Sequence, residues 1–206
     1  MKVRELIEIL NVYGVSINYD TIENFKLDSP IYFAAVNDKE RKKYEASKDK
    51  TKFISTTAAI HIPDLTLSDL MEILKSDGTG IYEHTKKQLL QFFRSDVSEN
   101  IVFATYLFLH EVGHWYQFAK IHMNVELWFN ENIELYKDNY DKIQQIAVQR
   151  QQRLMKDPSC NLTFREKHIL ESLRGEYRNI PKEKDADTFA IKNLESALYV
   201  YTNYRS

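Results

Sequence analysis

Two histidines four residues apart, His110 and His114, lie in the most apolar stretch of the chain, ENIVFATYLFLHEVGHWYQF. The length and apolar composition of this stretch predict a long, largely buried helix. Residues four apart on a helix differ by about 40° in direction and by about 6 Å along the axis. Both imidazoles can therefore reach one ion from the same helix face.

The segment HEVGH also places a carboxylate beside that ion. Glu111 precedes His114 by three residues, so it faces the same side of the helix without having to be a ligand itself. Neutral imidazole is a good zinc ligand, zinc lowers the pKa of a bound water, and a neighbouring carboxylate can take the proton. We therefore predict a Zn²⁺ site with His110 and His114 as ligands and Glu111 as the catalytic base. Gly113 lowers helix propensity by about 1 kcal/mol relative to alanine, and tight packing at the site would explain its presence.

Composition limits what kind of protein can carry this site. The 206 residues predict a single domain, 1–206, and the 43% hydrophobic and 28% charged residues are typical of globular chains. The only cysteine, Cys160, cannot form an internal disulfide, so a metal would be held by nitrogen and oxygen atoms. A net charge of −2 gives no electrostatic reason to expect a nucleic acid or an anionic membrane as partner.

The beginning of the chain is predicted to be an amphipathic surface helix. Residues 1–15 carry Arg4, Glu5 and Glu8 among apolar residues at helical spacing, which is unlike a signal peptide. The longest apolar run, Ile101–Leu109, is far shorter than the roughly 20 residues that a membrane-spanning helix needs. We expect a soluble, cytoplasmic protein, and the sequence leaves its oligomeric state open.

The pattern of the whole chain predicts an α+β fold that is predominantly helical, with a small N-terminal β-sheet. In the first third, a helix near 2–13 precedes β-like runs at 31–36 and 52–62, and the charged segment 38–52 between them is interpreted as a solvated hairpin or loop. Beyond these, we predict helices over 67–76, 83–94, from near 97 through the HEVGH segment, 125–156, 163–174 and 181–203. Capping boxes are expected at Asp96 with Glu99 and at Thr163 with Glu166.

A catalytic zinc site usually has three protein ligands and one open position, and the sequence offers several places for the third ligand. Lys120 occupies the position, six residues after His114, where metzincins have a third histidine. Glu134, with Asp138 four residues later, has a spacing similar to that of thermolysin-type enzymes. That pair lies in a stretch that is polar on all sides, which favours a solvated helix face.

The segment EKDADTFA supplies the candidate that we prefer. Glu183 and Asp187 are one helical turn apart, so both carboxylates can face the helix that carries the histidines. Ala186 is small enough to let two helices approach closely. We predict Glu183 as the third metal ligand, with Glu134 as the alternative. Asp187 is expected to accept a hydrogen bond from a ring N–H of one histidine, which would fix the orientation of that ligand.

HEVGH followed by EKDADTFA resembles the gluzincin metallopeptidases, most of all the ImmA/IrrE type with its HExxH and ExxAxxFA pattern. The segment is also similar to the ExxAD element of HtpX-like membrane proteases. The resemblance implies a zincin-like fold and a zinc-dependent endopeptidase that acts on a peptide or protein, with Glu111 as base and Glu183 as ligand. The alternative is a catalytically silent module that keeps the fold for binding or regulation. The polar segment after Val125 distinguishes the chain from these families.

Weaker candidates surround this site. Residues 58–62 are a candidate edge strand for pairing with a substrate main chain, although an ordinary sheet strand fits equally well. Candidates for stabilising an oxyanion are His168, Arg174 and Tyr177. Trp115 and Tyr116 are expected to line the site or to pack in the core.

Overall fold

The fold is α+β and mostly helical, with three strands and eight α-helices in the part of the chain that the structure describes. This computed structural model describes residues 1–20, 30–49, 53–54, 57–76, 81–154, 156 and 163–205. The strands are β1 (Ile17–Asp20), β2 (Tyr32–Ala34) and β3 (Ala59–Pro63). The helices are α1 (Val3–Leu10), α2 (Asp38–Ala46), α3 (Leu67–Ser76), α4 (Ile81–Leu89), α5 (Glu99–Lys120), α6 (Val125–Leu154), α7 (Phe164–Arg178) and α8 (Pro181–Arg205).

The sheet has the strand order β1-β3-β2. Strand β3 is buried along its whole length and pairs in parallel with β1 and antiparallel with β2. The run predicted at 52–62 therefore forms a strand over its second half. The suggestion that residues 58–62 form an edge strand is wrong, because β3 is hydrogen-bonded on both sides. The edge strand of this order is β2, and both β2 and β3 contact α5.

Helices α5 and α8 form the centre of the molecule. Fourteen of the 22 residues of α5 are buried, in keeping with the apolar sequence that predicted a buried helix. The buried residues of α8 recur every three or four positions, which places them on one face: Glu183, Ala186, Asp187, Ala190, Leu194, Leu198 and Tyr201. That face packs against α5 and continues the hydrophobic core at its apolar end.

Two local predictions are wrong. The charged segment at 38–52 is predicted as a hairpin or loop, but its residues Asp38–Ala46 form α2. Asn37 caps this helix by accepting a hydrogen bond from the backbone N–H of Glu40. Helix α5 begins after Ser98 and lacks the capping box expected of Asp96 and Glu99. Strand β1 was not predicted.

The other helices begin within two residues of the predicted positions, but α1 and α4 end earlier than predicted, at Leu10 and Leu89, and α7 extends further, to Arg178. Thr163 and Glu166 form the expected capping box at the start of α7, and Pro181 opens α8. Cys160 lies outside the described residues. No helix in the described segments is long and apolar enough to cross a membrane.

Candidate metal centre

Three buried side chains from two helices converge on one point between α5 and α8. His110 Nε2 lies 3.1 Å from His114 Nε2 and 3.2 Å from Glu183 Oε2, and His114 Nε2 lies 3.3 Å from Glu183 Oε1. The three residues are 5%, 8% and 3% exposed. They form the one group of potential metal ligands found among the described residues, and together they could hold a metal ion. Of the alternatives for the third ligand, the structure brings Glu183 to the histidines.

The close approach of the two helices depends on small residues. A Cβ atom at Gly113 would lie 2.9 Å from Cα and 3.2 Å from Cβ of Ala186, closer than such atoms normally come. Gly113 has an ordinary helical backbone, so its role is to leave space for α8. The predicted use of Gly113 and Ala186 in tight packing is confirmed, and this contact lies one residue from His114.

Hydrogen bonds fix which nitrogen of each histidine faces the convergence point. The carboxylate of Asp187 accepts a hydrogen bond from Nδ1 of His110 at 2.8 Å. Oε1 of Gln117 accepts one from Nδ1 of His114 at 2.9 Å, because Nε2 of the same amide donates to the carbonyl of Lys182. Both Nδ1 atoms therefore carry protons, and both Nε2 atoms point their lone pairs at Glu183. The role predicted for Asp187 matches its contact with His110.

A cluster of two imidazole lone pairs and a carboxylate needs a positive charge between them. Burial lowers the pKa of His110, but hydrogen bonds to Asp187 and Glu183 outweigh burial and raise it to about 9. Burial raises the pKa of Glu183, but the two histidines hold it well below its usual range. A proton supplies the charge when no metal is bound, and a cation with affinity for nitrogen and oxygen fits the same place.

A second layer of buried polar residues surrounds the donors. Oδ1 of Asp187 also accepts from the hydroxyl of Tyr106 at 2.6 Å and from Nη1 of Arg178 at 2.8 Å. Burial raises the pKa of Asp187, yet His110 and the Arg178 guanidinium hold it below its usual value. The hydroxyl of Tyr136 donates to Oε1 of Glu183 at 2.8 Å. These contacts hold the carboxylates ionised and oriented.

Glu111 lies beside the three donors without joining them. Its Oε1 is 4.0 Å from Nε2 of His110, and its Oε2 accepts a hydrogen bond from the backbone N–H of Phe33 at 2.8 Å. That N–H belongs to β2 and points away from β3. Strand β2 thus holds the Glu111 carboxylate at the edge of the donor cluster.

An open cleft of about 360 Å³ gives access to these groups. Tyr32 and Phe33 of β2 form one wall, and residues of α6 and α7 form the other: Trp128, Asn132, Tyr136 and Tyr177. Lys182, at the start of α8, lies 3.6 Å from the ring centre of Trp128 and 2.9 Å from a carboxylate oxygen of Glu131. These contacts join the N-terminal part of α6 to α8. The wall of the cleft is therefore attached to the helix that carries Glu183.

The weaker candidates divide between the cleft and the surface. Tyr177 lines the cleft. Glu134, Asp138, His122 and His168 are exposed, and the side chain of Arg174 lies outside the described part of the chain. Two neighbours of the motif do not line the cleft: Trp115 is buried against Phe33, and Tyr116 is half-exposed beside Phe189.

Several residues of the site were missed by sequence reasoning. Gln117 follows His114 by three residues, so helical spacing alone indicates that it lies on the same face. Tyr106 precedes His110 by four residues and shows the same signal. Trp128, Tyr136 and Arg178 carry no such local signal, because they reach the site only through the packing of α6 and α7.

Comparison of the chain with known protein families, curated protein sequences and solved structures finds no match.

Proposed function

We propose that this protein is a zinc-dependent hydrolase of peptide bonds. The observation that carries the proposal is the convergence of His110, His114 and Glu183 at the floor of an open cleft, with the carboxylate of Glu111 beside them. Three protein donors with access from solvent are typical of a catalytic metal site, whereas structural zinc sites are closed by four ligands.

Zinc is the metal that the donor set favours. Two imidazoles and one carboxylate suit a borderline-soft cation, and none of the donors is a thiolate. Calcium and magnesium prefer sites made of oxygen atoms. When bound, zinc would supply Lewis acidity, which polarises a carbonyl group and makes water a stronger acid.

Glu111 is the group that would move protons. Its carboxylate lies close enough to the donor cluster to take a proton from an attacking water, and it can then deliver that proton to the leaving amine. The hydrogen bond from Phe33 fixes one carboxylate oxygen and leaves the other beside the histidines.

A tyrosine of the cleft wall can stabilise negative charge on a substrate carbonyl. Burial and the neighbouring Glu183 raise the pKa of both Tyr136 and Tyr177, so both hydroxyls stay protonated. Tyr136 already donates its proton to Glu183, which makes Tyr177 the candidate donor. Both line the cleft, and their rings lie 5.4 Å apart. A donor placed beside the developing oxyanion is among the largest contributions to this type of catalysis.

The edge position of β2 supports an extended peptide as substrate. Among the described strands, β2 pairs with β3 alone, and its other edge lines the cleft at Tyr32 and Phe33. An extended chain can pair along such an edge, where the backbone N–H of Phe33 is engaged by Glu111.

Substitution of Glu111 by glutamine tests the proposal. Glu111→Gln should retain about one zinc per chain, because Glu111 is not a ligand, and should lose hydrolysis of a peptide library by roughly 10²-fold or more. The matched control is Glu134→Gln on the exposed face of α6, which should change neither quantity. Elemental analysis and mass spectrometry of the peptide products give the two measurements.

Two results would refute parts of the proposal separately. Hydrolysis that survives in Glu111→Gln would exclude Glu111 as the base. A wild-type protein that binds zinc but cleaves no peptide would favour the catalytically silent module instead.

A further inference from the structure

A second cavity, of about 640 Å³, lies behind the metal centre. Among the described residues, none lines both this cavity and the cleft that leads to the metal centre. It opens between α4, α7 and α8 and is lined in part by Gln88, Arg178, Lys184, Asp187, Thr188 and Lys192. Asp187 thus contacts His110 and also forms part of the wall of this cavity.

Arg178 is the buried cation of the cavity. Its side chain is 11% exposed, and Nη1 donates to Asp187 at 2.8 Å. Its Nε and Nη2 atoms make no hydrogen bond to any residue of the described segments, yet they are not sealed from solvent. A guanidinium with one nitrogen engaged and two free presents a forked pair of donors.

The charge of the cavity wall is positive. Lys184 and Lys192 lie on the α8 side and form no ion pair with the described residues. Asp187 is the only acidic group among the described lining residues, and its Oδ1 already accepts from Tyr106, His110 and Arg178.

We propose that this cavity is a binding site for a small oxyanion, a carboxylate or phosphate group held by the forked edge of Arg178. Paired oxygen atoms match the spacing of two guanidinium nitrogens, and charge-assisted hydrogen bonds of this kind are among the strongest in proteins. Lys184 and Lys192 add long-range attraction at the mouth. The proposal does not depend on hydrolysis at the metal centre, although the anion would contact the arginine that holds Asp187.

Titration of the protein as purified with inorganic phosphate, by calorimetry at constant ionic strength, tests the site. Saturable binding of one phosphate per chain is expected. The double variant Lys184→Gln/Lys192→Gln should weaken it about tenfold. The control double variant Lys120→Gln/Lys137→Gln removes the same charge from exposed positions on α5 and α6, and it should bind like the wild type.

Parallel titrations with acetate and with phosphate show which anion the cavity prefers. The anion with the lower dissociation constant identifies the ligand group as a carboxylate or as a phosphate. Three results would overturn the proposal: no saturable binding of either anion, equal weakening in both double variants, or binding that is unchanged by loss of Lys184 and Lys192. The last would show that the anion binds outside this cavity.

Discussion

Gly113 of α5 and Ala186 of α8 meet backbone to backbone, and a Cβ atom on Gly113 would lie 2.9 Å from Cα of Ala186. The neighbours of this contact are functional candidates, since His114 follows Gly113 and Asp187 follows Ala186. The distance between the two helices therefore also sets the distance between the imidazoles and the Glu183 carboxylate.

Gly113→Ala should separate α5 from α8 and destabilise the protein. The added methyl group meets backbone atoms, which cannot move away as a flexible side chain can. Overpacking of this kind costs about 1–3 kcal/mol, against a gain of about 1 kcal/mol in helix propensity. Urea unfolding would measure the net loss, and zinc content should fall with it.

Gly175→Ala in α7 is the matched control. A Cβ atom there meets nothing within 4 Å. The substitution should therefore raise the free energy of unfolding by up to about 1 kcal/mol through helix propensity alone. If Gly113→Ala and Gly175→Ala changed the free energy of unfolding equally, the contact between α5 and α8 at Gly113 would have room for a methyl group.

Asp187→Asn should weaken metal binding without removing a ligand. The amide keeps the shape of the carboxylate but loses the charge that orients His110. Loss of such a supporting residue typically reduces metal affinity by about 10–100-fold. Competition with a chromogenic chelator measures the change. Asp185→Asn, at an exposed position on the same helix, should leave the affinity as in the wild type.

The metal-free protein should lose stability as the pH rises from neutral to alkaline. The pKa of His110 is about 9 in the folded protein, above its ordinary value of 6.5. Protonation therefore favours the folded state, and its contribution is complete below about pH 6.5 and disappears as the pH rises through about 9. Urea unfolding across this range measures the loss.

Bound metal should remove this dependence, because it displaces the proton that His110 would otherwise gain. His122→Gln, at an exposed position, should keep the wild-type profile. A metal-free protein whose stability is constant or increases between these pH values would contradict the assignment to His110.

The helical part of the fold and the donor trio could be predicted because their signals are local. Apolar periodicity fixed the approximate bounds of α5 and α8, and the i, i+4 spacing of the histidines defined their common face. Glu183 is preferred to Glu134 because Asp187 lies one helical turn from it and Ala186 is small, whereas Glu134 lies in a stretch that is polar on all sides. The structure buries Glu183 and exposes Glu134.

The walls of the site could not be predicted, because they depend on contacts between distant elements. Tyr136 lies in a helix that is polar on most sides, and nothing in its neighbourhood marks it as a partner of Glu183. Phe33 contributes a backbone N–H, which any residue except proline would provide. The prediction of a hairpin or loop where α2 lies is wrong for a different reason. A solvent-exposed helix and a solvent-exposed loop have similar, highly charged compositions.

The donors from α5 and α8 are separated in sequence by all of α6 and α7, yet both helices are buried against each other. The three donors come together only where α8 is docked against α5, since the histidines alone offer two ligands. If a metal is bound there, its amount therefore reports the fraction of chains in which these two helices are packed together.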